Sequence, residues 1–264
     1  MAHKQQALRE MALFAGAGGG ILGGKLLGWE CVCAVEWEPY PAAVLAARQN
    51  EGFLPPFPIW DDVQSFDGRP WRGLVDVVSG GFPCQDISAA GKGAGITGER
   101  SGMWRHMARI IGEVRPRYVL VENHKHLAIR GLGTVLGALA TMGYDAEWGV
   151  FEAAHAGAPH ERARMFILAM AHTESIGGQQ ITRGLQEDAG QAWQEINGCF
   201  EPECGDQNCR RWWHSEPVVG RVANGVAARV DRAKAIGNGQ VPQVMAMAFC
   251  ILHERLSKRV GNGA

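Results

Sequence analysis

The stretch Met11-Ala12-Leu13-Phe14-Ala15-Gly16-Ala17-Gly18-Gly19-Gly20 carries a short apolar run directly into a glycine-rich turn. Apolar residues then follow at helical spacing, at Ile21, Leu22, Leu26 and Leu27. This order predicts a strand, a tight turn and a helix, the unit from which open α/β sheets are built. Glycines allow the backbone to approach a ligand closely, although any tight turn between a strand and a helix also favours them.

Strand-like and helix-like segments alternate along most of the chain. Further strands are predicted at residues 31–35, 55–60, 74–79 and 118–121, at Phe151 and at residues 165–170. Helices are predicted at residues 40–49, 103–113, 132–142 and 241–251. Such alternation predicts an α/β fold, namely a Rossmann-like, doubly wound and mostly parallel sheet. The apolar periodicity stops at residues 171–234, which predicts one domain from residues 1–170 and 235–264 with a small irregular insert.

Bulk composition narrows the class of protein. The chain has 264 residues, 46% of them hydrophobic and 20% charged, with a net charge of −1. A neutral total gives no overall attraction to nucleic acid, so DNA binding would require a local basic surface. Seven scattered cysteines, a polar segment at residues 1–10 and no membrane-length apolar run predict a reduced, cytoplasmic protein without a membrane span. Without heptads, we expect a monomer.

Glu36 ends the second predicted strand, about twenty residues after the glycine turn. An acid at this point can accept hydrogen bonds from both hydroxyls of a ribose. The pair therefore favours a nucleoside-containing cofactor, either nicotinamide or S-adenosylmethionine, over a purely structural turn. Trp37 is a candidate to cover an adenine ring, and Asp62 is a candidate for its amino group.

A cysteine and a carboxylate follow two neighbouring strands. Cys84 lies in Gly80-Gly81-Phe82-Pro83-Cys84-Gln85, and Glu122 lies in Val121-Glu122-Asn123. A thiolate can add to an electron-poor ring, and a nearby carboxyl group can manage the proton on that ring. The pair suggests chemistry on a pyrimidine base. The alternatives are an inert buried thiol and a Glu-Asn pair that caps the following helix.

Two arginines open the last predicted strand. Strand alternation would put Arg162 and Arg164 on one face, where two guanidinium groups can hold an exocyclic oxygen or a phosphate. A solvated sheet edge is the alternative. A glycine-flanked turn, Gly237-Asn238-Gly239, precedes the closing helix.

Taken in order, these motifs resemble the cytosine-5 DNA methyltransferases, particularly the short bacterial and phage-borne members. The resemblance covers roughly residues 11–170 and 216–255. The matching segments are Leu13 to Gly19, Glu36-Trp37, Gly80 to Gln85, Arg100-Ser101-Gly102-Met103-Trp104, Val121-Glu122-Asn123, Gly157 to Arg164 and Gly237 to Pro242. Each motif is weak alone, but seven in the family's order are specific.

The resemblance implies a covalent mechanism on a cytosine. Cys84 would attack carbon 6, Glu122 would share a proton with ring nitrogen 3, and Arg164 would hold the exocyclic oxygen with Arg162 nearby. Asn123 would order the loop that carries Cys84. Because the target carbon is inaccessible in a duplex, the base would be flipped out of the stack.

The resemblance also implies a cofactor, S-adenosylmethionine, and a partner, double-stranded DNA. The implied cofactor contacts are Phe14, Gly16, Gly18, Glu36, Trp37, Asp62, Val63, Phe82 and Asn238. The implied DNA contacts are Gln85, Ser88, Arg100, Arg211 and Arg221. Residues 171–234 would then be the target-recognition region of a catalytic domain in a bacterial or phage-infected cell.

Three positions depart from the family pattern. Ala12 stands where many relatives have an acid, so one hydrogen bond on the cofactor side is expected to be absent. His124 replaces a usual valine and puts an imidazole near the predicted catalytic acid. His160 stands where glutamine is frequent.

The insert contains a possible zinc site. Cys199, Cys204, Cys209 and His214 recur every five residues and offer four soft ligands. The close Cys-x-x-Cys pairs of zinc sites are missing, which favours free thiols and no metal.

Three other functions remain open from the sequence. The same chemistry could act on transfer RNA, whose single-stranded loops need no flipping. A catalytically silent methyltransferase-like protein could grip DNA without turnover, although it would not need Cys84 and Glu122. A nicotinamide-dependent dehydrogenase would explain the glycine turn and Glu36 but not the cysteine loop.

Overall fold

The computed structural model describes residues 7–83, 102–172 and 229–262. Seven strands form one sheet in the order β3-β2-β1-β4-β5-β7-β6. They are β1 (Arg9–Leu13), β2 (Glu30–Val35), β3 (Ile59–Trp60), β4 (Val77–Gly80), β5 (Tyr118–His124), β6 (Tyr144–Phe151) and β7 (Arg164–Ala171). Only β7 runs antiparallel to its neighbours among these described strands. The predicted Rossmann-like, mostly parallel α/β sheet is therefore confirmed.

Helices cover both faces of this sheet. In the described residues they are α1 (Gly19–Leu26), α2 (Pro39–Asn50), α3 (Met103–Val114), α4 (Leu127–Arg130), α5 (Leu132–Thr141), α6 (Arg229–Asn238) and α7 (Pro242–Asn262), with short 3-10 turns at Arg69–Trp71 and Ala153–Ala156. Alternate residues of β5 belong to two different hydrophobic clusters, one on each face of the sheet. Val119 and Val121 pack with α3 and α5, whereas Tyr118 and Leu120 pack with α7.

Helix α7 fills the core on its side of the sheet. The stretch Val230–Arg259 is the one described segment long and apolar enough to cross a membrane by length and composition. Its Val244, Phe249 and Leu252 are buried in the same cluster as sheet residues, which is the packing of a core helix. A short turn at residues 239–241, between α6 and α7, also interrupts the stretch.

Three strands differ clearly from the sequence prediction. Strand β3 covers only Ile59–Trp60 of the predicted residues 55–60. Strand β4 begins at Val77 and not at Leu74, because Leu74 lies exposed in the preceding turn. Strand β6 extends over eight residues where only Phe151 was predicted, since its Asp, Glu and Gly hide the alternation. The predicted domain boundary at residues 234/235 falls inside α6, and residues 173–228 lie outside the described part, so the division into domains stays a prediction.

The turn after β1 needs its glycines for two different reasons. Gly16 and Gly18 have φ values of 56° and 92°, in the left-handed region that glycine adopts without strain. Gly19 has no such φ, but a Cβ there would collide with the backbone carbonyl of Gln240. The turn between α6 and α7 is thereby packed directly against the start of α1.

Replacing Gly19 by alanine is expected to destabilise the fold by about 2 kcal/mol, because backbone cannot move aside as a flexible side chain can. The measurement is the free energy of unfolding in urea. Gly137→Ala is the control, since Gly137 lies in α5 with open space around the added Cβ. That variant should be neutral or more stable by up to about 1 kcal/mol. Equal stability of both variants would contradict the proposed close approach.

Candidate active site

The carboxyl ends of β1, β4 and β5 border a single cleft. Its walls come from the glycine turn, the end of β4, the end of β5 and the turn between α6 and α7. The residues lining it are Ala12, Leu13, Phe14, Ala15, Gly16, Gly20, Ile21, Ser79, Gly80, Gly81, Glu122, Asn238, Gly239 and Gln240. The cleft thus joins the glycine turn to the predicted catalytic acid, at the edge where α/β sheets bind ligands.

Glu36 follows the end of β2 and is buried. Its Oε2 accepts a hydrogen bond from the N–H of Gly16, and its Oε1 accepts one from the N–H of Glu38, each at 2.7 Å. Burial raises the pKa of Glu36, while these two N–H donors oppose the rise. Each oxygen keeps a second lone pair, so the carboxylate can still accept ribose hydroxyls. Next to it the ring of Trp37 is 69% exposed and is not a core residue.

The other predicted cofactor residues divide into two groups. Phe14, Gly16 and Asn238 line the cleft, whereas Val63 and Phe82 are buried in the core. Phe82 packs against Trp104, with ring centroids 5.6 Å apart. Gly18 is also buried, one position before α1.

Asp62 has a local structural partner. Its Oδ1 accepts the N–H of Gln64 at 2.8 Å, so the carboxylate stabilises the turn after β3. A contact of its second oxygen with an adenine amino group stays a prediction.

Glu122, which lines the cleft, forms an ion pair with Arg164. Arg164 Nε lies 3.1 Å from Glu122 Oε1, and the two side chains are only 24% and 13% exposed. Burial raises the pKa of Glu122 to about 7, even though the charges of Arg164 and Arg162 act to lower it. A carboxyl group with a pKa near neutral can both hold and release a proton under physiological conditions.

Arg162 does not lie where strand alternation predicted. It precedes β7 and has a φ of 39°, so Arg162 and Arg164 are not two alternate residues of one strand face. The Arg162 guanidinium donates hydrogen bonds to the carbonyl oxygens of Gly237, at 2.9 Å, and of Gly239. Arg162 therefore ties the arginine segment to the turn between α6 and α7.

Asn123 anchors the start of the cysteine loop. Its Nδ2 donates to the carbonyl oxygen of Phe82 at 3.0 Å, and its Oδ1 accepts the N–H of His124 at 2.8 Å. The side chain is 3% exposed, so both bonds are shielded from water. Phe82 precedes Cys84 by two residues, and Asn123 thus links the strand carrying Glu122 to the chain leading to Cys84.

Several predicted residues lie outside the described part of the chain. They are Cys84, Gln85, Ser88, Arg100, Arg211 and Arg221, together with the possible zinc ligands Cys199, Cys204, Cys209 and His214. Residues 7–83, 102–172 and 229–262 contain no cluster of three or more His, Cys, Asp or Glu side chains that could hold a metal.

Gln240 is a cleft residue that sequence reasoning missed. A Cβ at Gly20 would lie 2.9 Å from its Oε1, and a Cβ at Gly81 would lie 3.3 Å from its Nε2. Its amide therefore lies between the glycine turn and the end of β4. The only signal in the sequence was its position directly after Gly237-Asn238-Gly239.

The family model for C-5 cytosine-specific DNA methylases matches residues 8–204. The chain belongs to this family. The match includes both the glycine turn and the segments carrying Glu122 and Arg164, whose side chains meet at the cleft.

Curated relatives of this C-5 cytosine methylase family member are bacterial type II methyltransferases. M.PspPI of Psychrobacter sp. is 36% identical over 60% of this chain and 38% of its own length. M.Eco47II of Escherichia coli is 35% identical over 63% of this chain and 40% of its own length. M.HhaI of Haemophilus parahaemolyticus is 29% identical over 68% of this chain and 54% of its own length. The matches thus span about half of these relatives or less.

Solved structures share the fold of this methylase family member. A putative DNA modification methyltransferase encoded within an E. coli prophage superimposes with a TM-score of 0.50 at 22% identity, covering 62% of this chain and 47% of that one. The Dnmt2 methyltransferase of S. pombe gives a TM-score of 0.51 at 20% identity, covering 63% and 50%.

His124, which stands where valine is usual in the family, forms a hydrogen bond with the backbone nearby. His124 Nδ1 lies 3.2 Å from the backbone N–H of His126 and accepts its hydrogen bond. A protonated Nδ1 could not accept this bond. Burial and the neighbouring charges of His126 and Arg164 lower the pKa of His124. The imidazole is therefore neutral at neutral pH, and the pKa of Glu122 is set by burial and by the two arginines.

Proposed function

We propose that this protein transfers a methyl group from S-adenosylmethionine to carbon 5 of a cytosine in duplex DNA. The observation that carries the proposal is the ion pair between Arg164 and Glu122, since Glu122 lines the same cleft as the glycine turn. The family match supports the same reaction, and the anchoring of Phe82 by Asn123 supports a position for Cys84 near this cleft.

The cleft suits a ligand with a nucleoside and an amino-acid end. Gly16 leaves open space beside the backbone of the cleft, since no atom lies within 4 Å of where a Cβ would be, whereas the glycines at positions 20, 80 and 81 pack against Gln240, Leu13 and Glu122. Glu36 supplies oxygens for ribose, and the exposed ring of Trp37 is available for an adenine. When bound, S-adenosylmethionine supplies an electrophilic methyl group.

The proposed reaction begins with the sulfur of Cys84. The thiolate forms a bond to carbon 6 of the cytosine, and Glu122 donates its proton to ring nitrogen 3 as the ring accepts the electron pair. Carbon 5, now electron-rich, would form a bond to the methyl group of S-adenosylmethionine, while the bond between that methyl group and sulfur breaks and S-adenosylhomocysteine leaves with the electron pair. A base then removes the proton from carbon 5, Glu122 recovers the proton of nitrogen 3, and the Cys84 thiolate leaves with the electrons of its bond to carbon 6.

Arg164 has two roles in this proposal. Its charge limits the rise in the pKa of Glu122, and its remaining N–H groups can donate to the exocyclic oxygen of the cytosine. Arg162 has an indirect role, because its hydrogen bonds to backbone carbonyl groups hold the turn that carries Asn238.

DNA is the proposed partner. The family match supports this partner. The charges of Lys125, Arg130 and Arg164 help to lower the pKa of His124, so these three basic side chains lie near one another. We propose that the target base is flipped into this cleft, with Gln85, Ser88 and Arg100 on a closing loop and Arg211 and Arg221 in a target-recognition region at residues 171–234. A cytoplasmic monomer is the corresponding assembly.

A labelled-methyl assay tests the proposal. Purified protein is incubated with methyl-labelled S-adenosylmethionine and either duplex DNA or transfer RNA. We expect label in DNA, recovered as 5-methylcytosine after nucleoside digestion. Label in RNA alone would indicate the same chemistry on a different substrate. DNA binding without any label would indicate a silent module, and both results would reject the proposed function.

A further inference from the structure

Of the residues that strands β1 and β4 contribute to the lining of the cleft, only Ser79 has a polar side chain. Ala12 of β1 pairs with Ser79 of β4, and both residues line the cleft together with Gly80 and Gly81. Ala12 offers no hydrogen-bonding group. Any ligand group lying on this part of the cleft therefore meets the hydroxyl of Ser79 or the backbone.

A buried carboxyl group lies directly behind Ser79. Ser79 Oγ donates a hydrogen bond to Glu10 Oε1 at 2.5 Å, and Glu10 is 0% exposed. Glu10 Oε2 has no hydrogen-bond partner. It faces helix α1, since a Cβ at Gly24 would lie 2.6 Å from this oxygen and 3.0 Å from the ring of Trp29.

The burial of the Glu10 carboxyl group destabilises the folded protein. A carboxyl group enclosed by apolar neighbours with a single neutral partner loses hydration that one hydrogen bond does not replace. Burial accordingly raises the pKa of Glu10 to about 7, against the smaller opposing effect of the Ser79 hydrogen bond. An apolar residue at position 10 would avoid this cost, so packing alone does not account for a carboxyl group at this position.

The direction of the hydrogen bond between Ser79 and Glu10 determines whether Ser79 presents a donor or an acceptor to the cleft. When Glu10 is ionised, the Ser79 hydroxyl donates its proton to the carboxylate, so the lone pairs of Ser79 Oγ remain for a ligand. An acceptor backed by a carboxylate favours a positively charged N–H donor. S-adenosylmethionine carries such a donor in the ammonium group of its amino-acid end, at the opposite end from the ribose that Glu36 would hold.

We propose that Ser79 accepts a hydrogen bond from the ammonium group of the cofactor and that Glu10 is the positioning residue that orients Ser79 for it. The inference rests on the proposed function, because it assumes that S-adenosylmethionine occupies this cleft. It assigns a binding role to two residues that no sequence motif indicated.

Calorimetric titration with a matched pair of ligands tests the inference. S-adenosylhomocysteine and 5′-methylthioadenosine are both neutral thioethers, but only the first carries an amino-acid end. In Glu10→Gln and Ser79→Ala, we expect Kd for S-adenosylhomocysteine to increase about tenfold and Kd for methylthioadenosine to change less than about twofold. The double variant should be no weaker than Ser79→Ala, because Glu10 acts through Ser79.

Tyr118→Phe is the control variant. It removes another buried hydroxyl from the sheet, one bonded to His253 at 3.2 Å outside the cleft, and should leave both Kd values unchanged. Glu10→Gln keeps the shape of the side chain, so it remains informative if Ser79→Ala folds poorly.

The outcomes separate the inference from the proposed function. Equal weakening of both ligands would indicate a merely structural role and overturn the inference, as would unchanged binding of S-adenosylhomocysteine. Wild-type protein that binds neither S-adenosylmethionine nor S-adenosylhomocysteine would overturn the proposed function together with the inference.

Discussion

Replacing Cys84 by serine is expected to lower the rate of methyl transfer by about 10⁴-fold or more. A cysteine thiol near its ordinary pKa is a few per cent thiolate at neutral pH, whereas a serine hydroxyl is not ionised. Carbon 5 of cytosine is a poor nucleophile until a covalent bond at carbon 6 disrupts the aromatic ring. Without a competent nucleophile, the methyl group therefore has no acceptor.

The measurement is incorporation of labelled methyl groups into duplex DNA under single-turnover conditions. A second readout is covalent trapping by DNA containing 5-fluorocytosine, where fluorine replaces the proton that must leave. Wild-type protein should form a protein–DNA adduct that survives denaturation, and Cys84→Ser should form none.

Cys250→Ala provides the control for loss of a thiol. Cys250 is buried in α7, and burial raises the pKa of its thiol to about 12, which makes it unreactive. This variant should keep methyl transfer and trapping near wild-type levels. Trapping that persists in Cys84→Ser, or disappears in Cys250→Ala, would contradict the assignment of the nucleophile.

Replacing Glu122 by glutamine is expected to lower the rate about 10²- to 10⁴-fold, the range for loss of a general acid. Glutamine keeps the size of the side chain and can still donate a hydrogen bond to ring nitrogen 3. It cannot transfer a proton, so negative charge in the ring remains uncompensated. Glu254→Gln is the control, because Glu254 forms an exposed ion pair with Lys258 on α7.

The pH dependence carries a second signature of Glu122. Its pKa is raised by burial to about 7, so the carboxyl group is protonated below this value and ionised above it. If the protonated form is the active one, kcat/KM should decline as pH rises through about 7. That decline should be absent in Glu122→Gln, which has no proton to lose. An unchanged profile in Glu122→Gln would assign the titration to another group.

The positions of the strands followed from local sequence where the strand was buried on both faces. The apolar runs of β1, β2, β5 and β7 were predicted within a few residues, because fully buried strands need continuous hydrophobic side chains. Edge strand β6 was missed except for Phe151. Only its end residues Tyr144 and Phe151 are buried, and the six residues between them are partly or fully exposed, so the same physical rule gives no continuous signal.

The position of Arg162 could not be predicted from the local sequence pattern. Alternation predicted one face for Arg162 and Arg164, but Arg162 precedes β7 with a positive φ and binds the carbonyl groups of Gly237 and Gly239. These partners are 75 and 77 residues away in the chain. No local pattern contains a contact of such separation.

The amino-acid sequence alone determined the α/β class, the family and the predicted chemical groups, because motifs and periodicity are local properties of the chain. Only the tertiary structure determined the pKa of Glu122, because this pKa depends on burial and on arginines from another segment. It also decided that Ser79 lines the cleft and donates a hydrogen bond to Glu10, 69 residues away in the chain. Burial and long-range hydrogen bonding arise only once the strands are assembled side by side.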